Sequence, residues 1–179
     1  MSHDAMRPAT GPKIDFVDLR DIDPAMIITH MSDRRLRVHM PLLSGPWDRA
    51  AYDRFIMIKT RYWARDGLGH WAILCDGVYV GWGGFQKEGN DWDYGLVLKA
   101  DCFGLGMAIT RKALEFARAD PRIPHVTFLL PPTRTRLGAL KRIGAVFDGP
   151  VMHDGGQFLR YRLETGGNDA PIFPDPATG

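Results

Sequence analysis

The chain has 179 residues, of which 45% are hydrophobic and 25% charged, the composition of an ordinary globular protein with one domain. Its formal net charge is +2, and no run of Lys and Arg is long enough to predict a nucleic-acid interface. Apolar runs are too short to span a membrane, and 2 cysteines are too few for a disulfide framework, so we expect a cytoplasmic protein that binds neither membrane nor nucleic acid.

The first part of the chain predicts one strand and three helices. Residues 14–19 have the branched and aromatic side chains of a strand. Asp23-Pro24 is a helix start, with Asp as the N-cap and proline at the first helical position, and predicts a helix over 24–31. A short helix is expected through residue 39, and residues 47–65 are expected to form a long amphipathic helix.

The middle of the chain predicts three antiparallel strands. Residues 70–75 and 78–86 flank Asp76-Gly77, a dipeptide that suits both positions of a tight hairpin turn at positive φ. A second turn over 87–90 leads into a strand over 91–98, which is rich in aromatic and branched residues.

A glycine-containing loop, Asp101-Cys-Phe-Gly104-Leu-Gly106, joins the last of these strands to residues 107–117, which have apolar residues at helical spacing. Glycines at such a junction let backbone N–H groups approach a ligand, and the helix N-terminus favours an anion such as phosphate. A P-loop is excluded because the glycine spacing and the following Lys-Ser/Thr are missing. Dinucleotide binding is disfavoured because Ile109 stands at the third glycine position, whereas a glycine turn without a ligand stays open.

The last part of the chain predicts a strand over 125–130, a short helix over 133–143, and two strands over 145–151 and 157–163. Residues 1–13 and the Gly- and Pro-rich residues 165–179 are expected to be flexible tails. The result is an α+β domain over residues 14–164.

Two motifs in this order of elements resemble the GCN5-related N-acetyltransferases (GNATs). The stretch Asp101-x-x-Gly104-x-Gly106 is similar to the family's Gln/Arg-x-x-Gly-x-Gly/Ala loop, with Asp101 at the Gln/Arg position. Residues 130–145 are similar to the pattern Pro-x-Asn-x-x-Ser-x-x-x-Leu-x-Lys-x-Gly-Phe. The ribosomal-protein N-terminal acetyltransferases look like the most similar branch. The resemblance covers residues 14–164 and implies the GNAT fold, a mixed sheet of about seven strands flanked by about four helices.

The resemblance implies an N-acetyltransferase, an acyltransferase that moves groups other than aminoacyl groups. Acetyl-CoA would be the co-substrate, and a primary amine on a small molecule or a protein N-terminus would attack it directly in a ternary complex. A homodimer is compatible with this family. No metal is expected, because the histidines lack ligand spacing. The alternative is a catalytically silent acyl-CoA-binding domain with a sensing or assembly role.

The reaction needs a base, because an alkylammonium of pKa about 10.4 is almost entirely protonated at pH 7. Asp93 lies where the similar branch often has Glu, which makes it the candidate base; Asp91 lies two residues away on the same face. A pair of solvated carboxylates is the plain alternative. The backbone N–H of Leu96 or Val97 would stabilise the oxyanion where the fourth strand splays from the fifth. The residues expected to bind the cofactor are Leu96, Val97, Leu98, Phe103, Gly104, Leu105, Gly106, Met107, Thr133 and Arg136.

Three positions depart from the family pattern. Thr133 stands at the Asn position, Arg136 at the Ser position, and Leu140 where several members have a tyrosine that protonates the leaving thiolate. We therefore expect water, or a group outside this segment, to protonate the thiolate. Arg136 would act through its charge on a CoA phosphate, and a solvated helix start is the alternative.

Overall fold

A computed structural model of the chain describes residues 11–40 and 45–166. One mixed sheet runs through these residues, and its strand order is β1-β2-β3-β4-β5-β7-β6. Neighbouring strands are antiparallel except for β4 and β5, which are parallel. The strands are β1 Ile14–Val17, β2 His70–Cys75, β3 Val78–Glu88, β4 Asp91–Leu98, β5 His125–Leu130, β6 Val146–His153 and β7 Gly156–Glu164.

Helices cover both faces of this sheet, and the predicted α+β architecture of seven strands and four α-helices is confirmed. Short 3-10 turns at Leu19–Asp21, Arg34–Val38 and Ala100–Leu105 complete the connections. The α-helices are α1 Pro24–Met31, α2 Arg49–Asp66, α3 Gly106–Ala119 and α4 Gly138–Arg142.

The helix starts follow the capping residues in the sequence. Asp23 accepts a hydrogen bond from the backbone N–H of Ala25 at 2.9 Å, and α1 has the predicted bounds. Asp48 accepts from the N–H of Ala51 at 2.8 Å, so α2 begins after the predicted residue 47. The starts of α1 and α2 are therefore each determined by an aspartate that lies two or three residues before the N–H group it binds.

Other predicted elements also differ from the structure in their bounds. The first strand ends at Val17, because the Asp18 carboxylate accepts from the N–H of Arg20 at 2.8 Å and begins a 3-10 turn. The helix expected over 133–143 is confined to α4. Pro131 and Pro132 have no N–H to donate, and the N–H of Arg134 closes a turn onto the Pro131 carbonyl at 3.0 Å.

The core lies in two layers, one on each face of the sheet. On one face Phe85, Leu114 and Val126 are fully buried between the central strands and α3. On the other face Ile27 and Leu36 are buried, together with Ala72 of β2, beneath α1 and α2. The sheet is therefore inaccessible over most of its area.

The described chain is ordered slightly beyond the predicted domain bounds. The N–H of Lys13 donates to Asp76 Oδ1 at 2.9 Å, and Thr165 is buried with its N–H donating to the Pro124 carbonyl at 3.0 Å. The remaining parts of both predicted tails, residues 1–10 and 167–179, lie outside the described residues. None of the helices that the structure describes combines the length and apolar character needed to cross a bilayer.

Candidate functional site: the gap between two parallel strands

The central parallel strands β4 and β5 are paired at only two positions, Trp92 with Val126 and Asp93 with Thr127. Beyond Asp93, β4 continues to Leu98 and is paired with β3 on its other side. β5 likewise continues to Leu130 while paired with β7. The splay expected between these strands is therefore present and starts at Asp93. Backbone polar groups beyond that point have no partner strand on the inner side and can bind a ligand.

The Asp93 carboxylate lies at the point where the two strands separate. Its Oδ1 accepts a hydrogen bond from Thr127 Oγ1 at 3.2 Å. Burial raises the pKa of Asp93 to about 7, aided by the negative charges of Glu88 and Asp91, and opposed by the Thr127 hydroxyl and the Leu129 N–H. A carboxyl group with this pKa exchanges protons readily at neutral pH.

Asp91, its neighbour on the strand, has a different environment. Its Oδ1 lies 2.6 Å from His125 Nε2, and its Oδ2 lies 3.8 Å from an Arg160 guanidinium nitrogen. Asp93 has no basic side chain within 4.0 Å among residues 11–40 and 45–166. The structure thus gives the two carboxylates different environments: Asp91 is ion-paired, and Asp93 lies where β4 and β5 separate.

The glycine-containing loop follows directly from the end of β4. Phe103, Gly104 and Leu105 belong to the 3-10 turn Ala100–Leu105, and α3 begins at Gly106, one residue before the predicted start. No side chain in the described chain caps the N-terminus of α3, although the N–H of Gly106 donates to the Phe103 carbonyl of the preceding turn. A Cβ on Gly104 would meet nothing within 4 Å, and one on Gly106 would meet only Leu98 Cδ1 at 3.8 Å. Neither glycine is required by the backbone, and the space beside them is open.

Asp101, at the Gln/Arg position of the GNAT pattern, is held by an ion pair. Its Oδ1 lies 2.8 Å from an Arg35 guanidinium nitrogen, and Arg35 also binds Asp33 at 2.7 Å. No sequence pattern connects Arg35 with Asp101, because the two residues are 66 positions apart. The pair neutralises a carboxylate that would otherwise repel an anion at this loop.

The predicted cofactor residues fall into two groups. Leu96, Val97 and Leu98 form the unpaired end of β4, and Phe103 to Met107 form the loop and the first turn of α3. Leu98 and Leu105 pack in one apolar cluster, which makes the two groups continuous. The remaining predicted residues, Thr133 and Arg136, lie on the exposed segment between β5 and α4, with no hydrogen bond or ion pair in the described part of the chain.

Leu140, at the position of the family tyrosine, is half-buried and packs against the main core cluster. Its side chain therefore has a structural role in α4. The other two departures, Thr133 and Arg136, are exposed. None of the three side chains is a proton donor for a leaving thiolate at neutral pH.

A polar group on the α2 face of the sheet was not found from the sequence. Lys59 Nζ donates to Gln86 Oε1 at 2.9 Å, and Gln86 lies directly opposite Asp93 in the β3–β4 register. His70 is 8% exposed, and neither of its ring nitrogens has a hydrogen-bond partner in the described chain. Its ring lies 3.7 Å from the position of a Cβ on Gly95. One feature of the sequence does indicate this polar group. Lys59 lies at helical spacing from Phe55 and Trp63 and so interrupts the apolar face of α2.

A larger cavity of about 390 Å³ lies beneath α1, lined by His30, Tyr79 and Lys99 among others. Lys99 follows Asp93 by six residues, which places this cavity about 20 Å along the strand direction from the carboxylate. It is therefore remote from Asp93 and adjoins the loop after β4, since Ala100 and Asp101 also line it. Within the part of the chain that the structure describes, no group of three or more His, Cys, Asp or Glu side chains could hold a metal ion.

The sequence matches no family model and no curated protein. Its structure is similar to an acetyltransferase from Agrobacterium tumefaciens, at 16% identity and a TM-score of 0.67, covering 91% of this chain and 99% of that one. It is also similar to an aminoglycoside acetyltransferase in complex with coenzyme A (14% identity, TM-score 0.66, 86% and 94% covered). A spermidine N-acetyltransferase from Vibrio cholerae in complex with CoA and spermine gives 8% identity and a TM-score of 0.65, with 86% and 95% covered. The chain therefore has the fold of the GNAT acetyltransferases.

Proposed function

We propose that this protein transfers an acetyl group from acetyl-CoA to a primary amine by direct attack in a ternary complex. The observation that carries the proposal is the position of Asp93, a carboxyl group with a pKa of about 7 at the point where β4 and β5 stop pairing. Two of the similar structures are acetyltransferases with bound CoA, which supports the same co-substrate here. The similar structures named above do not support the expected ribosomal-protein branch.

Acetyl-CoA would bind along the gap and the loop that follows it. Backbone groups of Leu96 to Leu98, unpaired on the β5 side, would bind the amide-containing arm of the co-substrate. The pyrophosphate would lie at the uncapped N-terminus of α3, where backbone N–H groups and the helix dipole favour an anion. Thr133 and Arg136 would contact it from the β5 side, Arg136 through its charge.

The chemical step would begin with proton transfer from the ammonium group of the acceptor to Asp93, directly or through water. The neutral amine attacks the thioester carbonyl carbon, forming the C–N bond, and the N–H of Leu96 or Val97 stabilises the oxyanion. Collapse of this intermediate breaks the C–S bond, and the nitrogen, which became cationic on attack, releases its second proton to water to leave a neutral amide. A thiol of pKa about 8.5 is a moderate leaving group, so its thiolate can depart and be protonated by water.

A thiol-release assay tests this proposal. Purified protein is mixed with acetyl-CoA and a panel of amines, and free CoA thiol is measured. Asp93→Asn should lower kcat by roughly 10²- to 10⁴-fold, the usual contribution of a general base, without changing acetyl-CoA affinity. Asp91→Asn is the matched control, since it removes the neighbouring carboxylate that is ion-paired, and should keep most of the activity. A fully active Asp93 variant at pH 7 would remove this residue from the mechanism.

A second function, acyl-CoA binding without catalysis, has one observation in its favour. Leu140 is packed in the core, and the exposed Thr133 and Arg136 supply no acid, so the segment lacks the proton donor found in several family members. A silent domain would bind CoA in a calorimetric titration and release no thiol with any amine. Any amine-dependent release of thiol would exclude the silent domain and support the acetyltransferase.

A further inference from the structure

Lys59 carries a positive charge that no carboxylate in the described chain neutralises. Its Nζ donates to Gln86 Oε1 at 2.9 Å and lies 5.0 Å from the ring centre of Trp82. Glu88, the closest candidate for an ion pair, accepts instead from Gln86 Nε2 at 2.7 Å. Burial lowers the pKa of Lys59 to about 8, and Glu88 only partly opposes this. A half-buried ammonium without an opposite charge is unfavourable, unless a ligand supplies that charge.

A small cavity of about 30 Å³ adjoins this lysine. Thr60, His70 and Arg20 also line it, so its polar lining is rich in hydrogen-bond donors. The one carboxylate in the lining, Asp18, is bound by Arg20 at 2.6 Å. A single water needs about 10–15 Å³, so this volume admits a group of two or three heavy atoms and no more.

His70 supplies the second, independent sign of a ligand in this cavity. It is 8% exposed, and neither ring nitrogen has a partner in the described chain. Burial, together with the charge of Lys59, lowers the pKa of His70 well below its usual value, so the ring is neutral and has one N–H to donate. Buried polar groups are nearly always hydrogen-bonded, and an anion in the cavity would accept from both Lys59 and His70.

The cavity and the candidate base lie close together. Gln86 contacts Lys59 and lies directly opposite Asp93, and side chains at opposite positions have Cβ atoms about 5 Å apart. Asp93 and Gly95 are on one face of β4, and the His70 ring packs on Gly95. Asp93 and the polar groups of the cavity therefore lie on the same face of the sheet, within the length of one small molecule.

We propose that the acceptor is an amino carboxylate, a small molecule with both an amine and a carboxylate, whose carboxylate occupies this cavity and is bound by Lys59, Thr60 and His70. The assignment rests on the proposed acetyl transfer and names its acceptor class. A polycation, such as the spermine bound to one of the similar structures, would bring positive charge towards Lys59 and is disfavoured by the same geometry.

Turnover of matched amines tests the acceptor class. Each proteinogenic amino acid is compared with its decarboxylated amine, and spermine is included. At least one amino acid should exceed its decarboxylated partner in kcat/KM by about tenfold or more, the value of one charge-assisted hydrogen bond. Equal or better turnover of the amines without a carboxylate, or of spermine, would overturn the acceptor assignment and leave acetyl transfer intact.

Binding tests the cavity without relying on activity. An N-acetyl amino acid and its amide are compared by their effect on Tm in the presence of CoA, and only the carboxylate should raise it. Lys59→Met should abolish this difference, whereas Lys87→Met, a β3 lysine over the Trp92 ring and outside the cavity, should keep it. No Tm difference between acid and amide in the wild type would refute the carboxylate site, whatever the turnover.

A second variant guards against misfolding of the first. Gln86→Glu places a carboxylate next to Lys59 within the chain, at the cost of the Gln86 Nε2 hydrogen bond to Glu88. It should remove the effect of the external acid on Tm while keeping the Lys59 side chain. If the external acid still raises Tm as strongly in this variant, the carboxylate binds elsewhere and the proposal fails.

Discussion

At the scale of the residue, Asp93 differs from Asp91 because it is half-buried at a place where no basic side chain compensates its charge. The same burial that makes it a base at neutral pH makes its ionisation unfavourable for folding. Function and stability are therefore coupled at one carboxyl group.

The pH dependence of stability follows from this coupling. The pKa of Asp93 is raised from 3.8 to about 7 in the folded protein, so between these values the folded state holds a proton that the unfolded state has lost. The free energy of unfolding should fall as pH rises through that window, and the fall should be absent in Asp93→Asn. Urea unfolding of both proteins at pH 5 and pH 8 measures it. Parallel pH profiles for the two proteins would contradict the burial of this charge.

At the scale of the element, the loop before α3 should bind the co-substrate through its backbone. Gly104→Val and Gly106→Val introduce side chains where the structure has open space, so both variants should fold with nearly unchanged Tm. The added methyl groups would occupy the position of the phosphates and abolish CoA binding in a calorimetric titration. Wild-type affinity in a folded variant would exclude this loop as the phosphate site.

The segment between β5 and α4 should contribute to CoA binding only through the positive charge of Arg136. Arg136 is exposed and has no partner in the described chain, so Arg136→Ala should weaken CoA binding by up to about fivefold at low salt, the range of an exposed ion pair. The loss should shrink at high salt, and kcat at saturating acetyl-CoA should stay near normal. Arg54→Ala, an exposed arginine on α2, is the control. A large fall in kcat with unchanged affinity would give Arg136 a catalytic role.

At the scale of the whole molecule, we propose that the sheet continues into a second copy of the chain at its β6 edge. Val146 and Met152 of this edge strand are 68% and 72% exposed, and Phe147 is 53% exposed. An exposed apolar edge favours pairing with an identical strand about a two-fold axis. Sedimentation velocity at micromolar and hundred-micromolar concentrations should show a dimer, and Val146→Lys with Met152→Lys should give a folded monomer. A wild-type monomer at the higher concentration would disprove this association.

The elements that the sequence predicted well are those fixed within a few residues. Asp23-Pro24 caps and starts α1 by contacts two residues away, and Asp76-Gly77 adopts the expected positive φ values of 50° and 80°. β4 and β5 have the predicted bounds for the same reason: branched and aromatic residues fill each strand, and turn residues bound it. The mixed sheet of about seven strands came from the resemblance to a known family, since no local signal specifies which strands pair.

Tertiary structure alone decided the features that depend on distant partners. Pairing of β4 with β5 stops after Asp93, and this, together with burial, distinguishes Asp93 from Asp91, which His125 binds from β5. Lys59, His70 and Gln86 come from three elements, so only packing brings them to one cavity beside the base. A hydrogen bond between neighbouring residues depends only on the amino acids at those few positions. The desolvation of a charge depends on every element that covers it.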